Sequence, residues 1–143
     1  MKKIAKAVLY NREGQVLLQL RDGKAPLYPN TWAFFGGAVE DNESIEEALT
    51  RELDEELSLT FNQPEFKFFG RVESNDGTNE EVFYFLIPVN ESEEELRIKQ
   101  TEGTDLGFFG YHNSTGLKMI DRNRSILDQF FEDFSSEIIH PRP

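Results

Sequence analysis

The chain has 143 residues, the length of one domain, and 38% of them are hydrophobic, thirteen being phenylalanine, so it can bury a real core. Twenty-seven acids against fifteen bases leave a net charge of −12, and no Lys/Arg cluster offers a nucleic-acid backbone a seat. There is no cysteine, which excludes disulfides, thiolate metal sites and a cysteine nucleophile.

The opening MKKIAKAVLYNREGQ is interrupted by polar residues before any apolar run develops, so it reads as neither a signal peptide nor a membrane span. Cytoplasm is the expected compartment. Residues 5–10 and 15–20 are rich in β-branched and aliphatic side chains, with the turn-like Asn11-Arg12-Glu13-Gly14 between them, which predicts a hairpin. Arg21 to Thr31 holds Gly23, Pro26 and Pro29 and reads as an irregular loop. Trp32–Phe35 and Ala38–Val39 are short extended pieces flanking Gly36-Gly37.

From Ser44 to Leu57 the period changes. Ile45, Leu49, Leu53 and Leu57 recur every fourth residue, and Glu43 and Ser44 suit a helix N-terminus. Residues 66–72 and 82–89 predict two strands joined across 73–81, with Asp76-Gly77 as the turn. The acid run Glu91–Glu95 reads as a solvated loop. Residues 106–111 predict a further strand, and 120–134 an amphipathic helix with Ile126, Leu127, Phe130, Phe131 and Phe134 inward. No repeat or linker divides the chain, so residues 1–143 are expected to form a single α/β domain. A mixed sheet between helices, an α/β/α sandwich, is the expected architecture.

The densest information lies between Glu40 and Glu56, where nine carboxylates accompany one cation, Arg51. On a helical wheel with Leu53 at zero, Glu56 falls at about −60°, Glu52 at about −100° and Glu55 at about −160°. Two of these carboxylates therefore border the buried stripe, where a charge is costly unless paired or bound to metal. Oxygen-only ligands at such spacing suit a hard cation such as Mg²⁺.

The segment Gly37–Leu59 resembles the Nudix box of the Nudix hydrolases. Gly37 is followed at the family's intervals by Glu43, Arg51, Glu52, Leu53, Glu55, Glu56 and Leu59, with Trp32 and Gly36 in support upstream. Ser58 stands where the family has glycine, a substitution expected to act on the helix end and little on catalysis. The resemblance implies a Nudix-like α/β/α fold and hydrolysis of a pyrophosphate linkage in a small nucleotide, such as a (d)NTP, an oxidised one included, or a nucleotide sugar. It further implies Mg²⁺ or Mn²⁺ held by Glu52, Glu55 and Glu56, with a carbonyl of Gly36 or Gly37 completing the sphere. Arg51 would orient Glu52 through an ion pair, and Glu43 would hold the loop. Either Glu52 or Glu102, an acid in the loop before a strand, would be the general base. Arg21, Tyr28 and Gly37 are the candidate substrate contacts. Trp32, Phe34, Phe35 and Phe83 fit core better than base stacking. His112 and His140 have no ligand spacing.

A second class of function is a nucleotide sensor on the same fold, which would be expected to lose box acids; all three survive here. A third, isoprenoid diphosphate isomerisation, is associated with a catalytic cysteine that this chain lacks. The expected partner is a small-molecule nucleotide, with no nucleic-acid polymer and no membrane, on a monomer or homodimer.

Overall fold

The computed structural model describes residues 1–61, 66–74, 77–101 and 103–139. Among the described residues seven strands and four helices follow in chain order. They are β1 (Lys2–Tyr10), β2 (Val16–Leu20), β3 (Trp32–Ala33), β4 (Phe35–Ala38), α1 (Ile45–Leu57), β5 (Lys67–Glu73), β6 (Glu80–Pro88), α2 (Glu93–Lys99), β7 (Asp105–Phe109), α3 (Tyr111–Ser114) and α4 (Asp121–Ser135).

One mixed sheet takes the order β3-β2-β1-β6-β5, with β4 on β1 and β7 on β2. The central strand β1 runs parallel to β6 from Lys2↔Glu80 to Tyr10↔Pro88. Its other edge is shared. The first half pairs with β4, Ile4↔Ala38 to Ala7↔Phe35, and the last residue with β2 at Tyr10↔Val16. The β1–β2 hairpin is present, with the turn closed by Asn11 N–H to Gln15 O and Gly14 N–H to Asn11 O.

Strand alternation divides the apolar residues between two faces. Ile4, Val8 and Tyr10 of β1 join Tyr84 and Leu86 of β6 beneath Ile126, Leu127, Phe130 and Phe131 of α4. Ala5, Ala7 and Leu9 join Phe85 and Ile87 beneath Leu49, Leu53 and Leu57 of α1. The result is the expected α/β/α sandwich with the α1 stripe inward. Phe34 and Phe35 are fully buried on opposite faces, Trp32 packs edge-on to Phe109, and Phe83 is partly buried, so these aromatics are core.

The acid run is not a loop. Ser92 caps α2, accepting from Glu95 N–H while the Glu95 carboxylate accepts from Ser92 N–H. Glu93, Glu94 and Glu95 fill the first turn, where the helix dipole favours negative charge. Leu96 is fully buried in the α1-side core, and Arg97 pairs with Glu93 and Asp105. The S-x-x-E capping signal was in the sequence, masked by charge density. The last predicted strand ends early, because Tyr111 begins the short helix α3. Asp76 and His140 lie outside the described residues.

Candidate active site

Helix α1 is built to present acids from a fixed frame. Ser44 and Glu47 form a reciprocal capping box at its start. Ser58 ends it in the left-handed region at φ 53°, with Ser58 N–H on Asp54 O and Leu59 N–H on Leu53 O. The Ser58 bond, from the left-handed residue to the carbonyl four positions back, is that of an αL helix end, with serine bearing the steric cost that glycine would avoid.

The three acids differ in exposure as their wheel angles require. Glu56 is 3% exposed, the Glu52 side chain 17% and the Glu55 side chain 59%. Glu56 Oε2 accepts from Gly36 N–H at 3.5 Å. The Glu52 carboxylate lies over Gly37, where a Cβ would meet Glu52 Oε1 at 2.6 Å. Gly36 is confined differently. At φ +136° a Cβ there would stand 2.1 Å from the carbonyl oxygen of Ala5 on β1. The glycine pair thus has two jobs, a backbone fit for Gly36 and a carboxylate seat for Gly37.

Arg51 ties the site together. Its Nε and Nη2 grip both Glu43 oxygens at 2.8 and 3.0 Å, Nη2 also donates to Ala38 O at 3.1 Å, and Nη1 meets Glu52 Oε1 at 2.9 Å and Glu55 Oε2 at 3.4 Å. The Arg51 guanidinium, with help from Glu40 N–H, holds the Glu43 carboxyl down at about 2. The Arg51 pKa is itself raised, first by Glu43. Among the described residues no three acidic or histidine side chains already converge as a metal cage does. Glu52 and Glu55 lean toward Arg51, while Glu56 faces Gly36.

Glu102 lies outside the described residues. Its neighbour Thr101 is stitched to the end of α1, N–H to Glu56 O at 3.0 Å and Oγ1 to Glu55 O at 2.8 Å. Arg21 donates Nε to Leu27 O at 3.1 Å and its backbone brackets the loop through Asn30 and Thr31. Tyr28, at φ 52°, lines a cavity of about 580 Å³ on the α4 side of the sheet, with Val72, Ile120 and Arg122.

Two polar features escaped the sequence reading. Lys6 sits half-buried among the α4-side positions of β1, its Nζ 3.4 Å from the carbonyls of both Phe34 and Gly36. The signal was a lysine at an inward position, between Ile4 and Val8, in an alternating strand. It places a cation on the Gly36 carbonyl. The second is a buried polar group at the start of α4. Arg122 Nη2 pairs with Glu80 at 3.0 Å, and the Tyr84 hydroxyl donates to Asn123 Oδ1 at 2.9 Å. Burial drives the Tyr84 pKa well up, against the opposing charge of Arg122. No local pattern joins residues 42 apart in the chain.

The "NUDIX domain" family model matches residues 2–134. A nucleoside triphosphatase NudI of Escherichia coli O139:H28 is 31% identical over 102 residues, 65% of this chain and 71% of that protein. An RNA pyrophosphohydrolase of Haemophilus influenzae is 48% identical over 52 residues, 36% of this chain, and the match spans about a quarter (24%) of that relative's length. Among solved structures, a mutT/nudix family protein from Listeria innocua superposes with a TM-score of 0.71 at 23% identity, covering 96% of both chains, a likeness of fold. With the family model running from the first strand through the last helix, the chain belongs to the Nudix hydrolase family.

Proposed function

We propose that this chain is a metal-dependent pyrophosphohydrolase of small nucleotides, cleaving the diphosphate linkage of a nucleoside diphosphate joined to another moiety, such as a (d)NTP. The observation that carries the reading is the placement of two carboxylates of one helix, Glu52 over Gly37 and Glu56 against Gly36 N–H, with Arg51 bridging to Glu43.

The donor set fits a hard divalent cation. Glu56 is buried near the C-terminal end of α1, where the helix dipole is also negative, so its charge gains from a neighbouring cation. All side-chain donors are oxygens, which suits Mg²⁺ or Mn²⁺. Glu56 and Glu52 would hold the ion, with Glu55 at the solvent side. When bound, such an ion lowers the pKa of water and offsets charge developing on a phosphate leaving group.

The chain's own residues supply position and proton handling. Arg51 fixes the Glu52 carboxylate at 2.9 Å and anchors the preceding loop through Glu43, so the acid meets the substrate already oriented. Glu52 takes the proton of the attacking water in this scheme. Glu102, next to the Thr101 stitches, is the alternative base. Tyr28 and the cavity it lines accept the nucleoside, and Arg21 shapes the loop that carries Tyr28.

The test is turnover of a panel of canonical and oxidised (d)NTPs, nucleotide sugars and a 5′-triphosphate RNA, with Mg²⁺ or Mn²⁺ and with chelator. The RNA is included because one relative is named for it, although a net charge of −12 disfavours a polymer. One strong hit that disappears with chelator and in Glu56→Gln supports the reading. A folded, metal-binding protein that turns over none of them overturns it.

A further inference from the structure

One row of cross-strand neighbours runs over the sheet from the cavity toward the acid-bearing helix. Gly70 of β5 faces Tyr84 of β6, Tyr84 faces Lys6 of β1, and Lys6 faces Gly36 of β4. Beside that row Val72, which lines the Tyr28 cavity, stands opposite Val82. The Tyr84 hydroxyl donates to Asn123, the residue after Arg122 of the same lining. At the other end of the row Gly36 N–H meets Glu56. Lys6 therefore stands between the place proposed for the nucleoside and the carboxylates proposed for the metal. It is half-buried, whereas Tyr84 beside it is fully enclosed.

The strand register puts the Gly36 carbonyl within its reach. Val39 N–H bonds Lys3 O at 2.9 Å. Ladder bonds of an antiparallel pair fall on alternate residue pairs, so they return at Ala5 and Gly37 and skip Lys6 and Gly36. The N–H and carbonyl of Gly36 thus point away from β1, and β4 has no other strand neighbour among the described residues. Glu56 takes the N–H, while Lys6 Nζ lies 3.4 Å from the carbonyl and 3.4 Å from that of Phe34. Both contacts are longer than the ordinary value of about 2.9 Å. An ammonium in that position opposes a divalent ion on the same oxygen, because like charges a few ångströms apart repel.

The surrounding charges favour a second position for Lys6. Arg51 is committed to Glu40, Glu43, Glu52 and Glu55, and Arg122 to Glu80. A phosphate lying between the cavity and these acids needs a positive group on the sheet. Lysine supplies one as a compact charge with three donors on a flexible stem.

We propose that Lys6 is a substrate-binding residue of this chain, exchanging the Gly36 carbonyl for the phosphate next to the nucleoside when nucleotide and divalent cation bind. Each ligand then favours the other, since the nucleotide receives the ammonium that the cation displaces. That role rests on the hydrolase reading above and on the Gly36 carbonyl as a metal contact.

Binding to the full chain tests this apart from turnover. The probes are Mn²⁺ alone, followed by the paramagnetic signal of the unbound ion, and AMP, GMP, CMP and UMP with their nucleosides, followed by calorimetry. Lys6→Met keeps an unbranched side chain and removes its charge. It should bind Mn²⁺ alone several-fold more tightly than the parent. With Mn²⁺ present it should bind the parent's tightest monophosphate about ten-fold more weakly, the loss of one charge-assisted contact. The matching nucleoside should bind both proteins equally, and Lys6→Arg should stay nearer the parent. Unchanged affinity for Mn²⁺ or for the monophosphate in a folded Lys6→Met protein, or an equal loss for monophosphate and nucleoside, would each overturn the proposal. On the unmodified chain, a monophosphate that binds with Mn²⁺ no more tightly than its nucleoside overturns it without any variant. If both affinities shift as stated and no nucleotide is hydrolysed, the hydrolase reading fails alone. If nucleotides are hydrolysed and both affinities ignore Lys6, only this proposal fails.

Discussion

Adding one methyl group to each of the adjacent glycines should separate fold from catalysis. In Gly37→Ala the three heavy atoms nearest the new Cβ all belong to the Glu52 carboxylate, at 2.6 Å against an ordinary contact of 3.4 Å, a deficit of about 0.8 Å. A carboxylate at the end of a flexible side chain can retreat that far, so the variant should fold, with a Tm within a few degrees of the parent. The retreat carries Glu52 off its seat, and a displacement near 1 Å costs about 10²-fold in rate, roughly 2.7 kcal/mol of transition-state stabilisation. In Gly36→Ala the obstacle is backbone. The Cβ would stand 2.1 Å from Ala5 O, a deficit of about 1.3 Å, at φ +136°. Overpacking and backbone strain together should cost about 3–5 kcal/mol, a Tm fall of roughly 10–20 °C. Thermal melts and initial rates on the best substrate read both effects. Full turnover by a folded Gly37→Ala protein would refute the seating of Glu52, and a melt as depressed as that of Gly36→Ala would refute the claim that the nearest obstacle to a Cβ at Gly37 is a carboxylate free to move.

Three further outcomes follow from the same structure. Glu43 is held at about 2, below its usual value of 4.5, chiefly by Arg51, so it contributes stability fully above about pH 4.5 and loses it as the pH falls toward 2; melts of Glu43→Gln and the parent should therefore differ at pH 6 and converge at pH 2, and a gap independent of pH would count against the pairing. Ser58→Gly should stabilise by about 0.5–1 kcal/mol, raising the Tm by a few degrees with turnover unchanged, because the left-handed conformation at φ 53° costs glycine little; a lower Tm would contradict the cap geometry. Ser92→Ala removes the α2 cap and should cost about 1 kcal/mol in denaturant unfolding, a loss absent if the acid run were loop in solution.

The parts legible in the sequence were those in which one period governs one face. The four-residue spacing of Ile45, Leu49, Leu53 and Leu57 located α1, and the same wheel ranked the burial of Glu56, Glu52 and Glu55 correctly. Strands on both sides of one helix, with a second helix at the end of the chain, predicted a sheet covered on both faces. What stayed hidden depended on contacts between distant segments or on competing signals. In residues 91–95 charge density outweighed a capping box that needs only Ser92 and Glu95. Lys6 was passed over because a lysine in a strand reads as surface, whereas its ammonium lies on two carbonyls of β4 and its approach. The Arg122–Glu80 pair brings the start of α4 to the start of β6, and no local rule marks either residue. The seating of Glu52 on Gly37 likewise joins two parts of the box that spacing alone cannot bring into contact.

Thr101 bears on how this chain can diverge. Surface segments usually tolerate changes of length better than the elements they join. The stretch from Ser92 to Thr101 is clamped at both ends, by the capping box at one and by bonds to the carbonyls of Glu55 and Glu56 at the other. A one-residue insertion there would rotate α2 by about 100° per residue and either expose Leu96 or detach Thr101 from the acid-bearing helix. Among descendants of this sequence, residues 92–101 should therefore drift freely in composition at exposed positions such as Ile98 while keeping their number, and gaps should collect elsewhere on the surface.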